Sequence, residues 1–347
     1  MVALVLAFAL SFSPVNLEQP AIESPKLIGG KPYEDRPPSW LARVDGEVGP
    51  CSAFLVAPAW LVTAAHCDKS AETAQVGISY LGENITTHDV VEWVTHPDWD
   101  NFRSHDLALA RISPPAWGVE TLNIGISSPP LGAWEGTVGG WGNYSWHPDN
   151  INIDVVRPHW TGVGEIVSCE HFLDVNAICL TLEDASVCHG DSGSPLVGSD
   201  GLAYGIAVRI EDGRCALGTL TTYTDLTWVG HKEWILNTIS GGIQANMEWP
   251  DSTAKGIEIV GGWAFSTTGS IEPLVSLWVG DEYAISLPCC YDRGDVKKVF
   301  PEAELLSGFA GLYNWTGLAG LGSKFVTFKV QDSNGNELRL NREIEVD

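Results

Sequence analysis

"SVCHGDSGSP", residues 186–195, decides how this chain is read. Ser192 sits inside Gly-Asp-Ser-Gly, a run that folds tightly enough to offer a hydroxyl and neighbouring backbone N–H groups to a ligand. The same residue types are the ordinary stock of β-turns, because Gly tolerates positive φ while Asp and Ser bond their own backbone. Taken alone, the stretch fits a nucleophile and a plain turn about equally. What the rest of the chain sets beside Ser192 decides between them.

Upstream, "CSAFLVAPAWLVTAAHC" (51–67) reads as a strand, a Pro-containing turn and a second strand ending at His66. In "HDLALARI" (105–112), Asp106 opens an alternating segment with Leu107 and Leu109 on one side. Its carboxylate is thus expected at the start of a strand, beside a buried surface. Alone, His66 is a packed core histidine and Asp106 a turn or cap residue. Together, His66, Asp106 and Ser192 are the residue types of acyl transfer: a weak hydroxyl nucleophile, a base to take its proton, and a carboxylate to hold the base.

The 347 residues are 44% hydrophobic with 37 Gly and 20 Pro, a composition suited to loop-rich and strand-rich globular domains. Forty-four acidic against 19 basic side chains give a formal charge of -25, which repels nucleic acid and anionic membrane surfaces. "MVALVLAFALSFS" (1–13) is too short to span a bilayer but suits the apolar core of a secretory signal, although it lacks the usual positive start. Residues 1–20 are therefore expected to be a signal peptide, and no other run reads as a membrane span. The expected location is extracellular, or periplasmic in a Gram-negative host. Eight cysteines in an exported chain favour disulfides over thiols, with no zinc-type spacing and 105 possible pairings.

Several separated motifs, "KLIGG" (26–30), "LVTAAHC" (61–67), "HDLALARI", "GGWG" (139–142), "GDSGSP" (190–195) and "YTDLTWVGHKEWI" (223–235), resemble those of the chymotrypsin-like serine peptidases, the trypsin family. The resemblance spans residues 27–240 and keeps the family's His, Asp, Ser order. It implies an all-β fold with two antiparallel barrels and an active site in the cleft between them. It also implies Ser192 as nucleophile, His66 as base and then acid, and Asp106 as the group that orients the imidazole. The N–H groups of Gly190 and Ser192 would form the oxyanion hole. By the same resemblance Cys51 pairs with Cys67, Cys169 with Cys179 and Cys188 with Cys215, leaving Cys289 and Cys290. Adjacent Cα atoms lie about 3.8 Å apart, closer than ordinary bridges favour, so a bond within this pair would be strained, and the sequence leaves open whether the two are bonded to each other, free or bonded to another chain. No metal and no organic cofactor is implied.

Position by position, the resemblance places Ser186 where relatives with a basic preference carry an aspartate. Val208 stands where a serine usually supports the catalytic aspartate, Arg209 where an aromatic residue is usual, and Ile210 where glycine opens the pocket; Thr221 falls near the other wall. A shallow slot for small aliphatic residues follows, with a preference for acidic side chains, bordered by Arg209 and His189, as the alternative. The matching activation cut is Lys26–Leu27, which makes residues 21–26 a propeptide. The α-ammonium it frees would insert beside Asp191. Without an acidic pocket floor the enzyme would not process itself, so a separate trypsin-like activating protease is expected as a partner.

"SGGIQANMEWPDSTAKG" (240–256) reads as a polar, Gly- and Pro-punctuated linker over residues 241–256. Beyond it, short alternating runs separated by turn signals such as Gly280-Asp281 and Asn334-Gly335 predict a β-sandwich over residues 257–347. That part, through "GGWAFS" (261–266), "DRGDVKKVFP" (292–301) and "SGF" (307–309), resembles accessory modules of secreted bacterial proteins, and its Arg293-Gly294-Asp295 triplet reads as three common turn residues that coincide often rather than as an adhesion signal. The expected product is an exported serine endopeptidase acting on proteins or peptides. The competing expectation is a catalytically silent homologue that serves as a binding or adhesion protein.

Overall fold

Nearly continuous apolar runs in the first third of the chain form strands buried on both faces. The computed structural model describes residues 31–32, 37–47, 49–67, 70–77, 86–100, 104–142, 159–169, 176–211, 213, 215–272 and 274–347. After a short strand β1 (Lys31–Pro32) come β2 (Leu41–Gly46), β3 (Gly49–Ala57), β4 (Trp60–Thr63), β5 (Thr73–Val76), β6 (Thr86–Thr95) and β7 (Ala108–Ser113). They close in the order β2-β3-β4-β7-β6-β5, which leaves no free sheet edge.

A second ring follows from β8 (Gly132–Gly140), β9 (His159–Val167), β10 (Ala177–Leu182), β11 (Pro195–Gly198), β12 (Ala203–Ile210) and β13 (Thr221–Asp225). The order β9-β10-β13-β12-β11-β8 is closed by pairing of β8 with β9, and β1 adds to β9 from outside. Helix α1 (Val229–Ile239) then packs Ile235 and Ile239 into the same apolar cluster as Leu107 and Leu109 of the first barrel and Ile206 of the second. This shared core explains one departure from the expected alternation. Leu107, Ala108, Leu109 and Ala110 are all 0% exposed, so the first half of β7 has no solvent face.

The remainder comprises β14 (Ile243–Trp249), β15 (Thr253–Ala254), β16 (Ile257–Ser266), β17 (Leu274–Val279), β18 (Glu282–Asp292), α2 (Gly294–Val299), β19 (Leu306–Asn314), β20 (Gly322–Gln331) and β21 (Glu337–Val346). Strand order is β14-β16-β19-β18-β17-β20-β21-β15. The sheet folds over a core that joins Met247 and Phe309 from one end of that order to Phe328 and Ile344 from the other.

The stretch expected to be a linker is part of this unit. Ile243 and Met247 are core residues of β14, which pairs with β16, and Thr253 and Ala254 pair with β21. The polar residues that suggested a spacer are the outward half of a strand, and Gly241 and Gly242, at φ 54 and 91, turn α1 directly into it. Cys289 and Cys290, whose state the sequence leaves open, are bonded to each other across a cis peptide, with Cα atoms 3.1 Å apart. Arg293 is committed internally, making paired bonds to Glu248 at 2.7 and 2.9 Å and to Asp295 at 2.9 and 2.7 Å.

The third unit docks on the first barrel through its Asn334-Gly335 turn. A Cβ on Gly335 would come within 2.6 Å of the Ala59 Cβ, a space only glycine fits. Ala59 N–H donates to the Gly335 carbonyl at 3.1 Å, Trp60 Nε1 to Asn336 Oδ1 at 3.2 Å, and Arg339 Nη2 to the Val56 carbonyl at 2.6 Å.

Candidate active site

Strand β4 stops at Thr63, and His66 stands on the short 3₁₀ turn Ala65–Cys67 rather than at a strand end. The Cys51–Cys67 disulfide holds the far end of that turn to β3. Asp106 precedes β7 and is 4% exposed. Its two carboxylate oxygens are divided between functions: Oδ1 accepts the His66 backbone N–H at 2.9 Å, and Oδ2 lies 2.7 Å from His66 Nδ1. Thr224 on β13 donates to the Asp106 carbonyl at 3.0 Å, so the second barrel grips this segment of the first. The other imidazole nitrogen, Nε2, lies 2.7 Å from Ser192 Oγ. An unbroken path of hydrogen bonds therefore runs from a buried carboxylate to a half-exposed hydroxyl.

Ser192 lies between β10 and β11 in a turn built on two glycines with positive φ, Gly190 at 95° and Gly193 at 81°. A Cβ on Gly193 would lie 2.2 Å from the Ser52 carbonyl, so the turn closes only with glycine there. Among the described residues, the N–H groups of Gly190 and Ser192 donate to no protein acceptor, whereas those of Asp191, Gly193 and Ser194 are all bonded. Two backbone donors beside the hydroxyl are thus available to a ligand.

Ser52 drew no attention in the sequence. Its hydroxyl donates to the Gly190 carbonyl at 2.9 Å and accepts the Trp141 N–H at 2.8 Å, while its own N–H donates to the Ser192 carbonyl at 2.8 Å. One buried serine thus pins the Gly190 and Ser192 peptides to β3 and the Trp141 segment.

Asp191 is wholly buried, with Oδ2 accepting the Cys188 N–H at 2.9 Å and Oδ1 the Gly142 N–H at 2.7 Å. Burial pushes its pKa up to about 7 against the pull of those two bonds. Among the described residues it has no cationic partner. Lys26 and Leu27, the expected source of that partner, lie outside the described residues.

The cleft beside His66 and Ser192 is lined by Val187, His189, Val208, Arg209, Ile210 and Gly213. Ser186 and Thr221, expected on its floor and wall, are each 0% exposed and do not reach its surface. Ser186 Oγ instead bonds the Val187 carbonyl at 3.1 Å. The register of β12 against β13 slips between Ala207 and Arg209, and Thr221 is the strand partner of Ile210. The Cys169–Cys179 and Cys188–Cys215 bonds are both present, the latter bracing the cleft wall.

Comparison with known proteins adds an independent line. A family model described as Trypsin matches residues 27–235. Trypsin-3 of Salmo salar is 28% identical over 240 residues, which cover 63% of this chain and 94% of the salmon protein. Glandular kallikrein-10 of Rattus norvegicus is 26% identical over 234 residues, covering 58% and 85%. Among solved structures, mouse neuropsin, described as a serine protease expressed in the limbic system of the brain, aligns with a TM-score of 0.51 at 26% identity. That alignment covers 58% of this chain and 94% of neuropsin.

Proposed function

This chain belongs to the trypsin family of serine endopeptidases, and we propose that it cleaves peptide bonds through His66, Asp106 and Ser192 by way of an acyl-enzyme. The observation that carries the reading is the pair of 2.7 Å contacts on opposite nitrogens of one imidazole, to Asp106 Oδ2 and to Ser192 Oγ. Asp106 holds the proton on Nδ1, leaving the Nε2 lone pair for the serine proton. As Oγ bonds to the scissile carbon, that proton passes to Nε2, and the Gly190 and Ser192 N–H groups receive the oxyanion. Collapse breaks the C–N bond, and the same proton leaves with the amine. Water then repeats the sequence, displacing Oγ and restoring the hydroxyl.

No acidic side chain lines the cleft among the described residues, so a substrate lysine or arginine would find no counter-ion there. Val208 and Ile210 narrow the slot, which favours small aliphatic residues before the cut bond. The chain is made as an exported zymogen, cut at Lys26–Leu27 by a separate protease of basic specificity, with Asp191 receiving the new α-ammonium. A silent binding role is disfavoured by the continuous hydrogen-bond path, and the adhesion reading by the commitment of Arg293 to Glu248 and Asp295.

The test is peptide hydrolysis by the trypsin-matured protein and by its Ser192→Ala variant on a mixed peptide library. Loss of cleavage in the variant, with wild-type cuts after Ala or Val, is expected. Undiminished cleavage by the variant would overturn the nucleophile, and dominant cleavage after Arg would overturn the pocket.

A further inference from the structure

Behind the catalytic carboxylate lies a second cluster of imidazoles that the reaction does not use. His96, His105 and His231 each offer one ring nitrogen, and these nitrogens lie within 4.8 Å of one another. The three come from different parts of the fold. His96 follows β6, His105 immediately precedes Asp106, and His231 sits in the first turn of α1. His96 and His105 stack with ring centroids 5.0 Å apart, and His231 stands edge-on to them at 5.2 and 5.0 Å. Trp234 packs against His96 and Trp228 against His231, at 5.0 and 4.8 Å.

A hydrogen-bonded aromatic cluster is the plain reading, since His105 Nδ1 and His231 Nε2 are 2.8 Å apart. The hydrogen bonding around His231 goes further. Its Nδ1 donates to the Asp225 carbonyl at 2.6 Å, which fixes the tautomer and leaves an Nε2 lone pair aimed into the cluster. Metal-binding histidines are held in this way, with the second ring nitrogen donating to a carbonyl or carboxylate. His96 and His231 are 5% and 0% exposed, so both rings are shielded from solvent.

The distances suit an ion. Metal–nitrogen bonds of about 2.0–2.1 Å in a tetrahedral site put ligand nitrogens about 3.3 Å apart. His105 Nδ1 and His231 Nε2 are 2.8 Å apart and the three ligand nitrogens all lie within 4.8 Å of one another, a range that includes that value. The hydrogen bond at stake besides the His105–His231 contact is the long one, 3.3 Å, from the Asp98 N–H to His96 Nδ1. Three imidazoles without a carboxylate oxygen select a borderline ion over calcium or magnesium.

We propose that His96, His105 and His231 bind one divalent ion of the zinc class, completed by water, which braces the first barrel against α1 beside the catalytic carboxylate. The brace grips Asp106 from both sides. His105 precedes it with φ 53, and His96 N–H donates to the carbonyl of Leu107, which follows it, at 2.9 Å.

The test uses the metal-stripped full chain with disulfides intact, titrated with Co²⁺ as the probe and then with Zn²⁺. One equivalent of Co²⁺ is expected to give the intense visible bands of four-coordinate cobalt, Zn²⁺ to discharge them, and Zn²⁺ to raise the Tm. His105→Asn removes a ligand at a position where asparagine adopts the positive φ readily. It should weaken Co²⁺ binding at least about 100-fold with the near-UV circular dichroism unchanged. His96→Gln should do the same, while His66→Gln should leave stoichiometry and spectrum intact, separating this site from the catalytic histidine. Only the weak bands of hydrated Co²⁺, no Tm shift with Zn²⁺, or undiminished binding in a folded His105→Asn variant would each overturn the site.

Discussion

Replacing Asp106 by asparagine changes one oxygen into an NH₂ group and leaves the shape alone, yet it should nearly abolish turnover. Both oxygens are occupied in the native protein, Oδ1 by the His66 N–H at 2.9 Å and Oδ2 by His66 Nδ1 at 2.7 Å. The carboxamide has one acceptor to offer. If its NH₂ faced the backbone N–H, two donors would meet in a buried place, at a cost of about 1–3 kcal/mol. The oxygen therefore stays with the backbone, and the NH₂ faces Nδ1. Nδ1 must then present its lone pair, which moves the ring proton to Nε2, 2.7 Å from Ser192 Oγ. An Nε2 that already carries a proton accepts none from serine. The expected fall in kcat is about 10⁴, or about 5.5 kcal/mol in the barrier, with little change in stability. Single-turnover acylation of a peptide ester by the matured variant, alongside its urea midpoint, measures both. A kcat within tenfold of wild type in a folded variant would refute the tautomer reasoning.

Three further outcomes follow from the same geometry. Asp191, raised to about 7 by burial, keeps its proton in the folded precursor over a range where the unfolded chain has already ionised. Its contribution is therefore full below about pH 4 and lost as pH rises through about 7, by up to about 4 kcal/mol. In Ser192→Ala precursor, urea unfolding across that range should show this slope relative to the Asp191→Asn, Ser192→Ala double variant; identical pH profiles would mean that the carboxylate is already paired. Gly193→Ala puts a Cβ 2.2 Å from the Ser52 carbonyl and 2.3 Å from Thr63 Oγ1 at φ 81, and should destabilise by about 3 kcal/mol in calorimetry. Arg339→Ala leaves Glu337, 1% exposed, without its cation and removes the bond to the Val56 carbonyl. A loss of about 3–5 kcal/mol in chemical unfolding is expected, and a change under 1 kcal/mol would exclude Arg339 as an anchor of the third unit.

The fold and the candidate triad were legible because each rests on a local signal. Gly-Asp-Ser-Gly, "LVTAAHC" and "HDLALARI" each carry their chemistry within a few residues, and closed antiparallel barrels follow from many short apolar runs. What escaped reading depends on distant partners. Ser52 is an ordinary polar residue in an apolar run until β3 sets it against Gly190, 138 positions away. His231 gains meaning only where α1 returns to His105, 126 positions away. Ser186 and Thr221 were placed by resemblance alone and are both wholly buried, whereas His189, Val208, Arg209 and Ile210 reach the cleft. The linker over 241–256 was misread for the opposite reason. Its local polarity was real, but Ile243 and Met247 supply the inward half of a strand whose partner comes later in the chain.

The most direct measurement of the central claim is covalent labelling of the trypsin-matured protein with a fluorophosphonate, followed by peptide mapping. One label per chain, on Ser192, is predicted, with the rate collapsing in His66→Ala while the fold persists. Absence of label after verified cleavage at Lys26–Leu27, or label on another serine, would contradict the assignment of Ser192 as an imidazole-activated nucleophile.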